Sequence, residues 1–121
     1  MSALLTDREA DLMQILWERG PSTVAEIHER LRDDLAYTTV LALMRTLEAK
    51  GVVRRTKEGR AHRYAPLVAQ MQAQRAALRS VAGRFFRGSI ESLLLHFVSH
   101  EKLTPAAVER IKAQLERKGK T

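Results

Sequence analysis

The sequence predicts a mainly α-helical protein with a small β wing, in which a winged helix-turn-helix domain precedes a purely helical domain. Two observations support this fold class. Three short helical patterns in the first 50 residues lead into a pair of short basic extended segments, and everything beyond them has helical spacing. We place the domain boundary at Pro66-Leu67, which divides the chain into residues 1–67 and 68–121.

The first two predicted helices each begin with a capping box, a Thr followed three residues later by a Glu. Thr6–Glu9 opens the first helix, which Gly20-Pro21 ends, and Thr23–Glu26 opens the second. Apolar residues at helical spacing follow both boxes, so each helix has one face suited to a hydrophobic core.

A third helix is predicted from about Tyr37 to Lys50, with Gly51 at the position of a left-handed C-terminal cap. The face opposite its apolar stripe is small, flat and nearly free of acidic residues, as entry into a DNA major groove requires. A plain solvent-exposed face is the alternative, because Ala and Thr are ordinary surface residues. We expect Arg45 to contact guanine, and the predicted DNA-binding residues of this helix are Thr38, Thr39, Ala42, Arg45 and Thr46.

A β-hairpin is predicted from Val52–Lys57 and Arg60–Ala65, with Glu58-Gly59 as a two-residue loop. This register places three basic pairs opposite one another: Lys57 and Arg60, Arg55 and His62, and Arg54 and Arg63. Each like-charge pair destabilises a sheet by roughly 0.2–1 kcal/mol, so we expect bound phosphates to neutralise them. The hairpin residues predicted to hold DNA phosphates are Arg54, Arg55, Lys57, Arg60 and Arg63.

The charges are segregated along the chain, whose formal net charge is +7. Residues 1–44 contain four basic and eight acidic residues, a net charge of −4, whereas residues 45–67 contain seven basic and two acidic residues, a net charge of +5. Residues 68–121 contain ten basic and four acidic residues, a net charge of +6. Such segregation predicts a surface for a polyanion, first of all double-stranded DNA, although a solvated basic surface has the same composition.

Beyond Pro66, helices are predicted over Val68–Arg87, over Ser89–Ser99 and from Thr104-Pro105 onward. These 54 residues are too few for a robust independent core, since a single core below roughly 70–80 residues supplies only a few kcal/mol. We therefore expect residues 68–121 to form a homodimerisation domain. The residues predicted to make the dimer contact are Phe85, Phe86, Leu93, Leu94, Phe97, Val108, Ile111 and Leu115.

Several classes of function are disfavoured by what the sequence lacks. It has no Cys, which excludes disulfides, thiol catalysis and Cys-ligated zinc. It has neither the roughly 18-residue apolar run of a membrane span nor a signal peptide at Met1–Leu5, so we expect a cytoplasmic protein without membrane insertion. No Ser/His/Asp set, phosphate-binding glycine loop or carboxylate pair is apparent. We predict no catalytic residue and no cofactor. His96 and His100 have a zinc-compatible spacing, but a metal needs a third ligand and Glu101 lies about 100° around the helix from His100, so we predict no metal site.

Four blocks of the sequence resemble the BlaI/MecI/CopY family of penicillinase-type repressors: Leu5–Pro21, Leu35–Val40, Lys50–Val53 and Gly59–Pro66. The resemblance implies a bacterial homodimeric winged-helix repressor that binds a palindromic operator and is released when its three-helix dimerisation domain is cut. It also implies that the recognition helix corresponds to about residues 38–50 and the wing to residues 54–63.

The resemblance also concerns the inducing signal. In penicillinase-type members, a membrane sensor metalloprotease pathway leads to cleavage of an Asn-Phe bond in the second dimerisation helix. The matching segment here is Leu95–Val98, in which Phe97 is kept and His96 replaces the Asn, so His96–Phe97 is the candidate cleavage site. Copper sensors of the CopY type carry a cysteine cluster, and the absence of Cys excludes that route.

We therefore predict a homodimeric, sequence-specific DNA-binding transcriptional repressor that is not an enzyme. A winged-helix protein-interaction module without specific DNA binding is the first alternative. It requires an apolar outer face on the third helix, where this sequence has Thr, Ala and Arg. A small hydrolase that uses His96, His100 and an acid is the second alternative, and it requires a tightly bound metal.

Overall fold

The computed structural model describes residues 5–32 and 34–119. Residues 1–4, on which the absence of a signal peptide was predicted, lie outside the described part. The chain forms two compact units, of which the first extends to Leu78 and the second begins at Arg79. The elements, in order, are α1 (Asp7–Arg19), β1 (Ser22–Thr23), α2 (Val24–Arg30), α3 (Tyr37–Ala49), β2 (Val53–Glu58), β3 (Ala61–Pro66), α4 (Gln70–Phe85), α5 (Ile90–His100) and α6 (Pro105–Gly119).

Both predicted capping boxes are confirmed. The Thr6 hydroxyl accepts the amide of Glu9, and the Glu9 carboxylate accepts the amide of Thr6. Thr23 and Glu26 repeat this arrangement at the start of α2. The reciprocal bonds satisfy amides that the first turn of a helix leaves without partners, so they fix where α1 and α2 begin.

The core of the first unit is formed by the apolar faces of α1, α2 and α3 together with the inner side of the hairpin. Its buried residues are Leu12, Met13, Leu16, Val24, Ile27, Val40, Met44, Leu47, Val52, Val53 and Tyr64. Because α3 buries one face in this core, its opposite face is presented to solvent. Gly51 follows α3 with a φ of +79°, as predicted, and turns the chain into β2.

The hairpin belongs to a three-stranded antiparallel sheet with the order β1-β3-β2. The sequence predicted β2 and β3 but not β1, which contains only Ser22 and Thr23 and pairs with Tyr64 and Arg63. Two residues are too few to show the alternating pattern of a strand. This strand joins the hairpin to the connection between α1 and α2.

The predicted register of the hairpin is wrong by one position on each side of the loop. The loop is Gly59-Arg60, so Glu58 pairs with Ala61. Gly59 has a φ of +61°, and the first loop position of a tight hairpin needs a positive φ, which Glu58 would adopt only with strain. The predicted basic pairs are therefore absent: Lys57 lies opposite His62, Arg55 opposite Tyr64, and Arg54 opposite Ala65. The hairpin therefore has no stacked Arg/Lys pairs that a bound phosphate would have to neutralise.

The second unit contains the end of α4 together with α5 and α6. Ser89 caps α5 and Thr104 caps α6, each through a side-chain oxygen that accepts an amide of the first turn. None of the residues that the structure describes in α5 and α6 is buried. Within the described part of the chain, no helix combines the length and the apolar character that a membrane crossing requires.

Candidate nucleic-acid interface

The outer face of α3 contains all five residues that the sequence proposed for this helix. Thr38, Thr39, Ala42, Arg45 and Thr46 are exposed. The Thr46 hydroxyl donates to the carbonyl oxygen of Ala42 at 3.1 Å, so it is turned back onto the helix. The single acidic residue of α3, Glu48, forms an ion pair with Arg55 of β2 at 3.2 Å. Apart from Tyr37 at its first position, the exposed residues of this helix are therefore Thr and Ala together with one cation, Arg45.

A cleft of about 250 Å³ lies between the start of α2, the outer part of α3 and the tip of the hairpin. Arg45 of α3 and Arg60 of the hairpin loop both line it, as do Tyr37, His62 and Tyr64. The fold thus brings together one predicted base-contacting residue and one predicted phosphate-contacting residue that are 15 positions apart in sequence. A polyanion bound along this face would meet both cations.

The five basic hairpin residues differ in their surroundings. Arg54, Lys57 and Arg60 are exposed, and no ion pair to them is formed within the described part of the chain. Arg55 is exposed but bound to Glu48. Arg63 is half-buried and bound to two carboxylates. The exposed cations are thus available to phosphates, whereas Arg63 already has anionic partners.

Arg63 lies within a chain of four charged groups, between Glu58 and Glu26. Its Nη1 donates to Glu26 Oε1 at 3.1 Å and to the carbonyl oxygen of Pro21 at 3.0 Å, and its Nε donates to Glu58 Oε2. Glu26 Oε2 in turn accepts from Nη2 of Arg19, at the end of α1, at 2.8 Å. The network joins α1, α2 and both strands of the hairpin.

The carboxylate of Glu26 is strongly stabilised in its ionised form. The hydrogen bond from Arg19, with help from the backbone amide of Thr23, lowers the pKa of Glu26 to about 2. The carboxylate is therefore ionised at neutral pH, where it accepts from Arg63.

The sequence did not predict an ion pair between Glu9 and Lys50, which connects the C-terminal end of α3 to α1. Glu9 is 2% exposed, and its Oε1 lies 2.6 Å from Nζ of Lys50, the residue that caps the end of α3. Burial alone would raise the pKa of Glu9, but hydrogen bonds from Lys50 and Thr6 outweigh it and hold the pKa below its ordinary value. The signal was present in the sequence, because Glu9, Leu12, Met13 and Leu16 share one helical face.

The predicted dimer residues are mostly uncovered in the single chain. Phe85, Leu94, Phe97, Ile111 and Leu115 are exposed, and Phe86, Leu93 and Val108 are partly buried. His96 and Phe97, the candidate cleavage site, are both exposed on an unbroken α5.

His96 forms ring contacts within the second unit. Its ring centroid lies 4.4 Å from that of His100 and 5.7 Å from that of Phe86. Within residues 5–32 and 34–119, no three His, Asp or Glu side chains are grouped closely enough to hold a metal ion. The two histidines are thus side chains in ring contact on the surface of α5.

Three helices followed by a β-hairpin, with a short strand joining the hairpin to the turn between the first two helices, define a winged helix-turn-helix protein. The model of the penicillinase repressor family matches residues 5–117. The chain belongs to this family, and the predicted fold class and family resemblance are confirmed.

Individual relatives agree with this assignment. The transcriptional regulator BlaI of Mycobacterium tuberculosis is 38% identical over 117 residues, which cover 93% of this chain and 85% of that protein. The methicillin resistance regulatory protein MecI of Staphylococcus aureus is 24% identical over 116 residues, which cover 94% of each chain. The solution structure of the DNA-binding domain of the repressor BlaI matches with a TM-score of 0.53 and 22% identity, over 60% of this chain and 93% of that domain, which shows the shared fold.

Proposed function

We propose that this protein is a cytoplasmic, homodimeric transcriptional repressor that binds a palindromic operator in double-stranded DNA. The observation that carries the proposal is the cleft in which Arg45 of α3 and Arg60 of the hairpin loop face the same ligand space. Membership of a family of transcriptional repressors supports it. The same membership supports a binding function in place of an enzymatic one.

In the proposed complex, α3 lies in the major groove and reads bases. Arg45 has the length and the fork of donors for a bidentate contact with guanine, and the small side chains around it allow a close approach. Thr38 and Thr39 lie in the first turn of α3, where exposed amides favour phosphate. The exposed hairpin cations Arg54, Lys57 and Arg60 bind phosphates of the adjacent backbone.

The dimer is proposed to form through the second unit, with a second copy of the chain covering the apolar residues of α5 and α6. Their exposure supports this, since so many exposed apolar side chains on two short helices are costly in water. Two linked DNA-binding units would contact half-sites about 10 bp apart or a multiple of that distance. Linkage also gives the second unit a high effective concentration at its half-site.

Release from DNA is proposed to follow cleavage at His96–Phe97 by a pathway that begins at a membrane sensor metalloprotease. A cut at this bond would remove the last part of α5 and all of α6 from the dimer contact. The two DNA-binding units would then bind their half-sites independently. The second unit would lose the high effective concentration that linkage provides. A helix must unwind locally before a protease can cut one of its peptide bonds. No described residue of α5 is buried, so this helix is a suitable target.

The decisive experiment is a binding titration of the purified protein on DNA from its own upstream region and on a scrambled duplex of the same length. We expect preferential binding to the upstream DNA, which weakens steeply between about 50 and about 300 mM salt. Arg45→Ala should reduce the preference as well as the affinity, by about 1–3 kcal/mol at a guanine contact.

Arg75→Ala is the matched control, because it removes one exposed arginine from α4, which is part of neither α3 nor the hairpin. It should leave the preference unchanged. Equal binding to both duplexes would refute sequence-specific repression. Absence of binding at low salt would favour a winged-helix protein-interaction module instead.

A further inference from the structure

We propose that Arg63 is a positioning residue, which ties the hairpin to the connection between α1 and α2, and not a ligand of DNA phosphate. This inference rests on the proposed DNA-binding function, which gives the position of the hairpin its importance. It changes the role that the charge pattern of the sequence suggested for one of five hairpin cations.

Most donors of the Arg63 guanidinium are already occupied. Three of its five N–H donors are used: Nε donates to Glu58, and Nη1 donates to Glu26 and to the carbonyl oxygen of Pro21. A phosphate would have to compete with two carboxylates that are already in place. Arg54, Lys57 and Arg60 present no such competition, since no ion pair to them is formed within the described part of the chain.

Glu26, a partner of Arg63, is itself held in place. Glu26 accepts from Arg19 at 2.8 Å and from the backbone amide of Thr23 at 2.9 Å. Arg19 also donates to the hydroxyl of the buried Ser22 at 2.9 Å. Arg63 thus binds Glu26, which is held by other hydrogen bonds, and also binds Glu58 at the tip of the hairpin.

Arg63 projects from β3 away from the cleft. Successive strand residues project to opposite faces of a sheet. Tyr64 is buried in the core of the first unit, so Arg63, the preceding residue of β3, projects from the other face of the sheet. Glu58 shares that face, because its strand partner Ala61 is two positions from Arg63. Arg60, in contrast, lines the cleft from the loop.

An isolated two-stranded hairpin is only marginally stable in water, so its orientation must come from contacts with the rest of the fold. Strand β1 supplies two residues of pairing near Arg63 and Tyr64 and none near the loop. The bonds of Arg63 extend this support from α2 to Glu58, the last residue of β2 before the loop. They therefore determine where Arg60 stands relative to Arg45.

The first test compares the salt dependence of DNA binding among single-charge variants of the full chain, with a duplex from its upstream region as the probe. Arg60→Gln should lower the slope of log affinity against log salt concentration by about one, because one phosphate contact is lost. Arg63→Gln should keep the slope of the wild type and weaken binding about fivefold at every salt concentration. Arg75→Gln is the control for loss of one charge. A drop in slope for Arg63→Gln equal to that for Arg60→Gln would overturn the proposal.

The second test uses a substitution for which the two possible roles of Arg63 predict opposite changes in DNA affinity. Glu58→Ala removes a negative charge from the hairpin and releases one donor of Arg63. If Arg63 binds phosphate, this substitution strengthens DNA binding. If Arg63 positions the hairpin, the substitution weakens DNA binding, because the tip loses its connection to Glu26 and Pro21.

The third test needs no DNA and so separates this inference from the proposed function. We expect Arg63→Gln to accelerate amide hydrogen exchange at Thr56 and Glu58 in the free protein, and Arg60→Gln to leave it unchanged. Unchanged exchange in Arg63→Gln would refute the positioning role. If the exchange result is as expected but the wild type binds no duplex, the proposed function fails and the structural role of Arg63 stands.

Discussion

Nζ of Lys50 lies 2.6 Å from Oε1 of Glu9, and this contact joins the last turn of α3 to the first turn of α1 across 41 positions of sequence. The Glu9 side chain is 3% exposed and the Lys50 side chain 28% exposed. The same carboxylate oxygen caps α1 through the amide of Thr6. The end of the proposed recognition helix is therefore held by a group that also determines where α1 begins.

Lys50→Met should destabilise the first unit by about 2–3 kcal/mol, because it leaves the buried carboxylate of Glu9 without its cationic partner. Urea unfolding at neutral pH measures this loss. Lys57→Met is the matched control, since Lys57 is exposed and no ion pair to it is formed within the described part of the chain. Equal stabilities of the two variants would show that the pair contributes nothing.

Stability should fall in acid in a manner that depends on Glu26. Hydrogen bonds from Arg19 and from the amide of Thr23 lower its pKa from 4.5 to about 2 in the folded protein. A carboxyl with a depressed folded pKa stabilises the fold at pH values above its unfolded pKa, and this contribution disappears as the pH falls toward the folded pKa. The difference in unfolding free energy between wild type and Glu26→Gln should thus be constant above about pH 5 and shrink between pH 4.5 and about 2.

Urea unfolding of both proteins across this range is the measurement. Glu29→Gln, at an exposed position three residues further along α2, serves as the control. A difference between wild type and Glu26→Gln that does not change with pH would show that the ionised form has no special stabilisation in the fold.

The helices could be predicted because their signals are local. A capping box spans four residues, and an apolar stripe repeats within two turns, so Thr6–Glu9 and Thr23–Glu26 sufficed to locate α1 and α2. The exposed face of α3 followed from the same periodicity. Helix ends were accurate where a cap is encoded, as at Ser89 and Gly51.

What the sequence did not reveal depends on contacts between distant residues. Ser22 pairs with Tyr64, and Arg63 binds Glu26. In neither pair does a local sequence pattern indicate that the two residues are in contact. The charge of Arg63 predicted a phosphate ligand, because a basic residue in a basic segment gives no hint of two carboxylates brought to it by the fold. The predicted register of the hairpin was wrong for a different reason. The register depends on whether Gly59 occupies the first or the second position of the loop.

The corrected register leads to a prediction about Gly59. Its φ of +61° is unfavourable for residues with a side chain, although no atom would obstruct a Cβ there. Gly59→Ala should therefore cost about 1 kcal/mol of stability. Thermal unfolding of the variant and the wild type measures the difference. If Ala left the stability unchanged or increased it, the loop would not have this conformation.

The proposed dimer is tested by placing charges on the exposed apolar face of α5. Leu94 is 58% exposed and Phe97 49% exposed in the single chain, so a Glu at either position should be tolerated by the monomer. In a dimer, each Glu would bury an unpaired carboxylate, at a cost of several kcal/mol. A cost of about 3 kcal/mol corresponds to a loss of dimer affinity of about 100-fold.

Sedimentation equilibrium should show a dimer for the wild type and a monomer at micromolar concentration for Leu94→Glu and Phe97→Glu. Ser99→Glu is the matched control, because Ser99 is exposed on the polar side of α5, two positions from Phe97. It should remain dimeric. Far-ultraviolet circular dichroism distinguishes dissociation from unfolding, since a folded monomer keeps the helical signal of α1–α4. A wild type that sediments as a monomer at all accessible concentrations would refute the dimer, and two dimeric Glu variants would place its contact elsewhere.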